Sequence, residues 1–513
     1  MDSLKDLPSR AMGFIFSNQP RPGLHPVPGT EPIRIEALIL PPLMYYVALL
    51  FLPPAPPQAV DILAFKLLRN GLAILAGILF FRLPLAYHIP QSIGLNYQLG
   101  LVGIYGGCRV IDVFFIGPYM FNHIPRRVRY EHRPRVETPA AEDKKDPMDK
   151  VSPANTSKKR VGYADSSTTP SFWDRRPSLA LDNYMPTSAA DAANSAMDAF
   201  SSAMNGPPMQ AVYEVGIPED GWPHTFHDRA SWALELELSM RGMGFTWTTA
   251  DVRHTNNTWL PTVYNRLHSI AVHVLPTILA CVLTIRSIYI THLAPVANNP
   301  FDSPSAFDTQ LSLPNQLILT AALGAFLMVA FSVAHSMFAI ICAPLAPSPF
   351  AFFPPLYTTR IWSITTVRGF WSYGWHRLFA RLFLVYGVWP GQWLERKLLG
   401  KKPEDPADIG KVVGGFLSSA LVHSFSVRSV LAGQWGRARG EAIFFASNGL
   451  AVVVEEAVIR LVLELRRSGG RPESAWYDGA VGRIWWITVL LFSGRNFARG
   501  WVDAGLVREM AGF

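Results

Sequence analysis

The chain has 513 residues, of which 49% are hydrophobic, 12% aromatic and only 16% charged, a balance too poor in charge for a soluble protein of this size. The formal net charge of +8 does not indicate a nucleic-acid partner, because Lys and Arg are scattered among loops and helix ends and are not gathered with aromatic stacking residues. Cys108, Cys281 and Cys342 lie inside apolar stretches without CxxC spacing, which argues against a disulfide framework or a zinc site and leaves them as packing residues.

Apolar residues come in long blocks without strand alternation, so the sequence predicts an all-α integral membrane protein. The opening MDSLKDLPSR has no charged stretch running into an apolar core; no cleavable signal peptide is expected, and the first apolar block directs insertion. Spans are expected at 36–52, 71–88, 99–119, 267–290, 314–343, 411–432, 441–464 and 481–498, about eight in all, since about 20 helical residues cross the hydrocarbon. After the third span comes IPRRVRYEHRPR, where Arg126, Arg127, Arg129, Arg133 and Arg135 face only Glu131, so this end faces the cytosol. Residues 137–212 are polar, proline-rich and rich in small side chains; they bury too little apolar area to offset chain entropy and read as a disordered insertion. They separate an N-terminal membrane unit, 1–136, from a C-terminal unit, 213–513.

Residues 345–357, LAPSPFAFFPPLY, are too proline-rich for a straight span and too apolar for a free loop, which suits a re-entrant or interfacial segment. Beyond them, Trp371, Trp375, Phe379 and Leu382 recur at helical spacing while Arg377 and Arg381 share another stripe, predicting an amphipathic helix at the membrane surface.

Within 411–432, Gly415, Ser419 and His423 follow at four-residue steps and share one helix face, flanked by Gly414 and Ser418. Small residues let another helix or a substrate approach the backbone, and the imidazole stands at the end of that groove. An imidazole removed from water favours its neutral form, which accepts a proton and suits a general base. No GxSxG turn supports a hydrolase; a water-poor site fits acyl transfer between lipophilic partners. His335 is the competing buried histidine but lacks flanking motifs. His268 and His273 are five apart, off the four-residue spacing of paired metal ligands, so no metal is expected. Glu456 and Arg460 form an i, i+4 ion pair, and Glu455 beside them is a candidate substrate contact.

FLSSALVHSF at 416–425 resembles the histidine motif of the membrane-bound O-acyltransferases, and RGFWSYGWHRLF at 368–379 resembles the Phe-Trp-x-x-x-Trp segment of their wax-synthase-like branch. MRGMGFTW at 240–247 is similar to the upstream Arg-Gly-x-Gly-Trp element, with Phe245 in place of Trp, and GRIWWITVLLFSG at 482–494 to the closing span. The resemblance covers roughly 235–505 and rests on the order and spacing of the four motifs. It implies a multi-helix bundle with an internal tunnel and an acyl-CoA-dependent O-acyltransferase, in which 213–513 is the catalytic part. By the same resemblance His423 is the base, His376 a second polar site that orients substrate or polarises the thioester, and Trp371 and Trp375 shape the pocket. Ser424 stands where the family often has an acidic residue, so no assisting carboxylate is expected there.

Ser419 joins the groove as a substrate contact, and His376, the Trp375 indole and Asn448 are candidate donors to the tetrahedral oxyanion. Arg368, Arg377 and Arg381 are the expected contacts for the CoA phosphates at a cytosolic mouth. Acyl-CoA is expected as co-substrate, with no permanently bound cofactor. Likeness to fungal enzymes that acetylate secondary metabolites favours an acetyl donor and a terpenoid-like acceptor, with residence in the endoplasmic reticulum as the class implies. The alternatives are a long-chain wax-ester synthase, a transporter with a proton relay through His423, His335 and Glu455, and a haem protein using His273, His335 or His423.

Overall fold

The computed structural model of the protein describes residues 13–54 (except 18, 22 and 23), 62–133, 213–247 (except 219 and 220), 262–295, 304–345 and 353–513 (except 355, 358–360 and 473). The expected insertion at 137–212 and most of the proline-rich 345–357 lie outside the described residues.

Helices dominate. α1 (Ile35–Leu50) contains Pro41 and Pro42, and α2 (Ile62–Ala86) packs back against it. α3 (Ile93–Ile111) begins where the Ser92 hydroxyl accepts from the Leu95 amide, and Glu509 accepts from the Ser92 hydroxyl and the Ile93 amide. A carboxylate placed there satisfies free amides and meets the positive end of the helix. α3 continues through a wider-turned stretch, Asp112–Met120. α4 (Phe226–Leu238) is followed by α5 (Leu275–Ile288), the middle of a helical stretch running from Val263 to Leu293. Next come α6 (Leu313–Cys342), α7 (Trp389–Leu399), α8 (Asp408–Arg428), α9 (Arg439–Ser468), α10 (Asp478–Asp503) and α11 (Leu506–Met510). Two small ladders complete the described residues: β1 (Glu31–Pro32) parallel to β2 (Tyr87–His88), and β3 (Val128–Arg133) antiparallel to β4 (Tyr213–Pro218).

All eight expected spans fall on helices, but among the described residues five helices are long and apolar enough to cross a membrane: Leu63–Ala86, Ile93–Met120, Val263–Leu293, Leu313–Cys342 and Arg439–Ser468. α1 is too short at 16 residues. α8 and α10 are diluted by polar residues, Ser418, Ser419, His423, Ser424 and Ser426 in one and Arg483, Arg495 and Arg499 in the other. The polar residues of α8 are buried within the protein and do not meet lipid. Leu63, Leu67, Ile74 and Ile78 of α2 and Leu275, Leu279 and Leu283 of α5 point outward, as expected of faces solvated by acyl chains. The chain is thus a mostly helical, multi-pass membrane protein.

The single amphipathic helix expected through 371–382 is broken. Helical turns at Val367–Gly369 and Phe370–Gly374 end at Trp375, whose backbone is extended, and helix resumes only at Ala380. Gly374 packs so closely on Ile364 that a Cβ would lie 2.2 Å from its Cδ1. Tertiary packing overrides the continuous apolar periodicity here, and Leu378, Phe379 and Leu382 turn into the core.

One core cluster joins elements from both ends of the chain, including Tyr97, Leu101, Leu319, Phe379, Val422, Val427 and Trp501. α3 and α8 approach at Gly100, where an added Cβ would lie 2.8 Å from the Cα of Ser426. Gly387 and Gly391 meet Gly414 and Gly410 of α8 in the same backbone-close manner, a small-xxx-small contact suited to helices packing in lipid.

Candidate active site

α8 turns Ser419, His423 and Ser426 toward the interior, and all three are buried. One turn from the Gly100–Ser426 contact, the hydroxyl of Tyr97 and Nδ1 of His423 share a hydrogen bond of 2.7 Å. The imidazole stacks on Phe445 of α9, ring centroids 4.5 Å apart, while Trp501 meets the Tyr97 ring edge-on at 5.6 Å. Phe445 in turn packs on Trp371 at 5.6 Å. The Trp371 indole N–H donates to Asn448 Oδ1 (3.0 Å), and the Asn448 amide donates to the Phe444 carbonyl (2.8 Å) and Ser493 Oγ (3.0 Å). Asn448 is therefore engaged on three sides and ties Trp371 to α10, which leaves it poorly suited to an oxyanion. Trp371 and His423 thus pack on the same ring, that of Phe445.

His376 lies in the non-helical turn after Trp375, buried against Phe331 (4.7 Å), Trp375 (5.2 Å) and Phe379 (5.8 Å). Neither of its ring nitrogens has a hydrogen-bond partner among the described residues. Burial holds its pKa down to about 3, with His423 and the guanidinium of Arg241 adding to the effect. His335 of α6 is within electrostatic reach of His376, packs on Phe353 at 5.3 Å, and leaves its Nε2 unpaired. The structure thus brings His335, His376 and His423 into one row lined by aromatic rings. Trp375 caps that row beside Tyr357, 6.3 Å between centroids.

The other expected site residues lie elsewhere. Glu455 accepts the backbone amides of Val367 (2.7 Å) and Arg368 (3.1 Å), anchoring the helical turns that carry Trp371. Arg381 makes a paired hydrogen bond with Asp112, 2.8 and 3.1 Å, and sits over the rings of Trp247 and Trp389. Arg377 donates to the Ser372 carbonyl beside Tyr373, and Arg368 approaches Glu456 at 3.8 Å. The three arginines therefore do not form one basic mouth. Phe245, at the departure from the expected Trp, is fully buried edge-on to Trp232. Among the described residues no three His, Cys, Asp or Glu side chains group as metal ligands.

Tyr97 and Phe445 adjoin His423, and Glu441 lies within electrostatic range of Tyr97, without having been singled out in the sequence. A signal existed for two of them: Glu441, Phe445, Asn448, Val452 and Glu455 repeat at four- and three-residue steps and mark the inner face of α9. Nothing in the sequence ties Tyr97 to a histidine 326 residues away.

Residues 353–447, the stretch holding Trp371, His376 and His423, match the membrane bound O-acyl transferase family. Among curated proteins, Acetyltransferase ple2 of Rhodocybe pseudopiperita is 31% identical over 133 residues, 26% of this chain and 32% of the relative. Acetyltransferase eriL of Hericium erinaceus is 26% identical over 231 residues, 45% of this chain and 57% of the relative. The alignments therefore span about a third and just over half of these relatives. No solved structure matches the chain. In its motif order, in the matched stretch and in its curated relatives, the chain is similar to the membrane-bound O-acyltransferases of fungal acetyltransferase type.

Proposed function

We propose that this chain is a membrane O-acyltransferase that moves an acyl group, acetyl by preference, from acyl-CoA to a hydroxyl of a lipophilic acceptor such as a terpenoid, in the endoplasmic reticulum membrane. The observation that carries the reading is the setting of His423: Nδ1 is held by Tyr97, the ring stacks on Phe445, and Nε2 has no hydrogen-bond partner among the described residues. A neutral imidazole held this way accepts the proton of the acceptor hydroxyl as its oxygen attacks the thioester carbonyl. The new C–O bond forms, the C–S bond breaks, and the proton passes from the imidazolium to the departing thiolate, giving ester and free CoA.

His376, neutral and with unpaired nitrogens, has one N–H to offer the oxyanion or the acceptor. Phe331, Trp375, Phe379 and Phe445 surround the two imidazoles and disfavour water as a competing acceptor. Both curated relatives are named acetyltransferases, which favours a short donor over a fatty one.

Microsomes carrying the chain, incubated with radiolabelled acetyl-CoA or palmitoyl-CoA and a panel of terpenoid, sterol and fatty alcohols, test the reading. Acetyl ester formed with a terpenoid acceptor supports it; ester from palmitoyl-CoA alone would assign a wax-ester synthase. The row of three histidines also suits a proton relay in a transporter, and no ester from any donor would favour that.

A further inference from the structure

Glu441 opens the inner face of α9 one turn before Phe445, and it is 2% exposed. It stands in the first turn of its helix, where a carboxyl is electrostatically favoured. Yet it caps nothing: neither oxygen, nor the indole N–H of Trp501, has a partner in full hydrogen-bond geometry among the described residues, although the carboxyl and that indole lie close enough to interact. The carboxyl lies within electrostatic range of Tyr97, the residue that holds His423, and Trp501 beside it meets the Tyr97 ring edge-on. An unpartnered buried carboxyl is costly, and in a native protein its retention asks for a reason.

The Tyr97–His423 contact supplies one. A tyrosine hydroxyl carries a single hydrogen. If that hydrogen points at Nδ1, the imidazole must bear its own on Nε2, and it is then no base toward the acceptor. If the hydrogen points away, the tyrosine oxygen accepts from Nδ1–H and the Nε2 lone pair is free. We infer that Glu441 is a positioning residue: its carboxyl, directly or through one buried water shared with Trp501, accepts the Tyr97 hydroxyl and thereby fixes His423 in the tautomer that works as a base. A water there has Glu441, Trp501 and Tyr97 as polar partners, enough to hold it.

The inference rests on the acyltransferase reading, and its test separates the two. Four variants are compared with the parent for kcat and KM in acetyl transfer: Glu441→Leu, Glu441→Gln, Tyr97→Phe and the double variant Glu441→Leu/Tyr97→Phe. Replacing an unpaired buried carboxyl with Leu does not threaten folding, so the thermal midpoint in detergent is expected to hold or rise. Glu441→Leu leaves the tyrosine hydrogen only Nδ1 to point at; kcat is expected to fall at least about tenfold with KM unchanged. Glu441→Gln keeps a carbonyl acceptor and recovers most of that loss. Tyr97→Phe frees both tautomers, so adding it to Glu441→Leu raises kcat above that of Glu441→Leu alone. A merely structural carboxyl is not rescued by deleting a second hydroxyl.

Unchanged kcat in Glu441→Leu, or losses that multiply in the double variant, would overturn the inference. If the parent makes no ester in the same assay, the acyltransferase reading itself fails; if His423→Ala retains full activity, the base role of His423 fails; the inference falls with either. An inactive His423→Ala beside a fully active Glu441→Leu sinks only the positioning role.

Discussion

The hydroxyl of Tyr97 and Nδ1 of His423 meet at 2.7 Å across 326 residues of sequence, joining the third helix of the chain to the stretch that matches the acyltransferase family. The contact depends on α3 lying against α8 with no side chain between Gly100 and Ser426.

Gly100→Val therefore forces these helices apart. The expected cost is about 2 kcal/mol of stability from overpacking, with kcat for acyl transfer down about 100-fold because the imidazole loses its support by a fraction of an ångström. Thermal unfolding in detergent and initial rates measure the two effects. A variant with parental stability and rate would show that the helix contact does not set the histidine.

Glu455 supports the site from a distance. Glu455→Ala removes the acceptor for the Val367 and Arg368 amides and is expected to destabilise by about 1–2 kcal/mol, the usual cost of a lost helix cap. Because Trp371 rides on those turns, KM should rise with kcat less affected. A fall in kcat alone would instead indicate direct contact with the reacting atoms.

The Arg381–Asp112 pair makes a sharper stability prediction. Their side chains are 14% and 3% exposed, and the Trp247 indole also donates to Asp112. Arg381→Ala strands a buried carboxylate, so a loss of about 3–5 kcal/mol is expected. The double variant Arg381→Met/Asp112→Asn should recover much of it. If Arg381→Ala instead leaves the fold intact and raises KM for acyl-CoA, the arginine serves the donor.

Acid should weaken the fold through His376. Its folded pKa is held near 3 by burial, below the ordinary imidazole value of about 6.5. As pH falls below about 6.5 the unfolded chain takes up this proton and the folded chain does not, so stability is lost progressively down toward pH 3 and is fully present above the unfolded value. Thermal midpoints at pH 7.5 and 5.0 should differ less in His376→Asn than in the parent; an equal difference would show that His376 titrates freely.

What the sequence revealed follows what local pattern can carry. His423, Trp371 and Trp375 stand out because motif order and four-residue spacing are local properties; in the structure Trp371 packs on Trp375 and on the Phe445 ring that carries His423. The break after Gly374 was not, because Phe379 and Leu382 continue the apolar rhythm while the determinant is the packing of Ile364 on Gly374. Arg381 reads as a donor contact because the CoA phosphates call for basic residues at a cytosolic mouth, and no local pattern points to its partner Asp112, 269 residues away. Spans were legible as helices, but the inward polar face of α8 and the half-buried Arg483, Arg495 and Arg499 of α10 lower the apolar content of both below that of the five spanning helices.

The most direct measurement is the rate of acetyl ester formation by purified His423→Ala in detergent, with its thermal midpoint recorded beside that of the parent. The account predicts a folded protein whose rate is at least about 100-fold lower, the scale of general-base assistance. A folded His423→Ala that makes ester at the parental rate would contradict it.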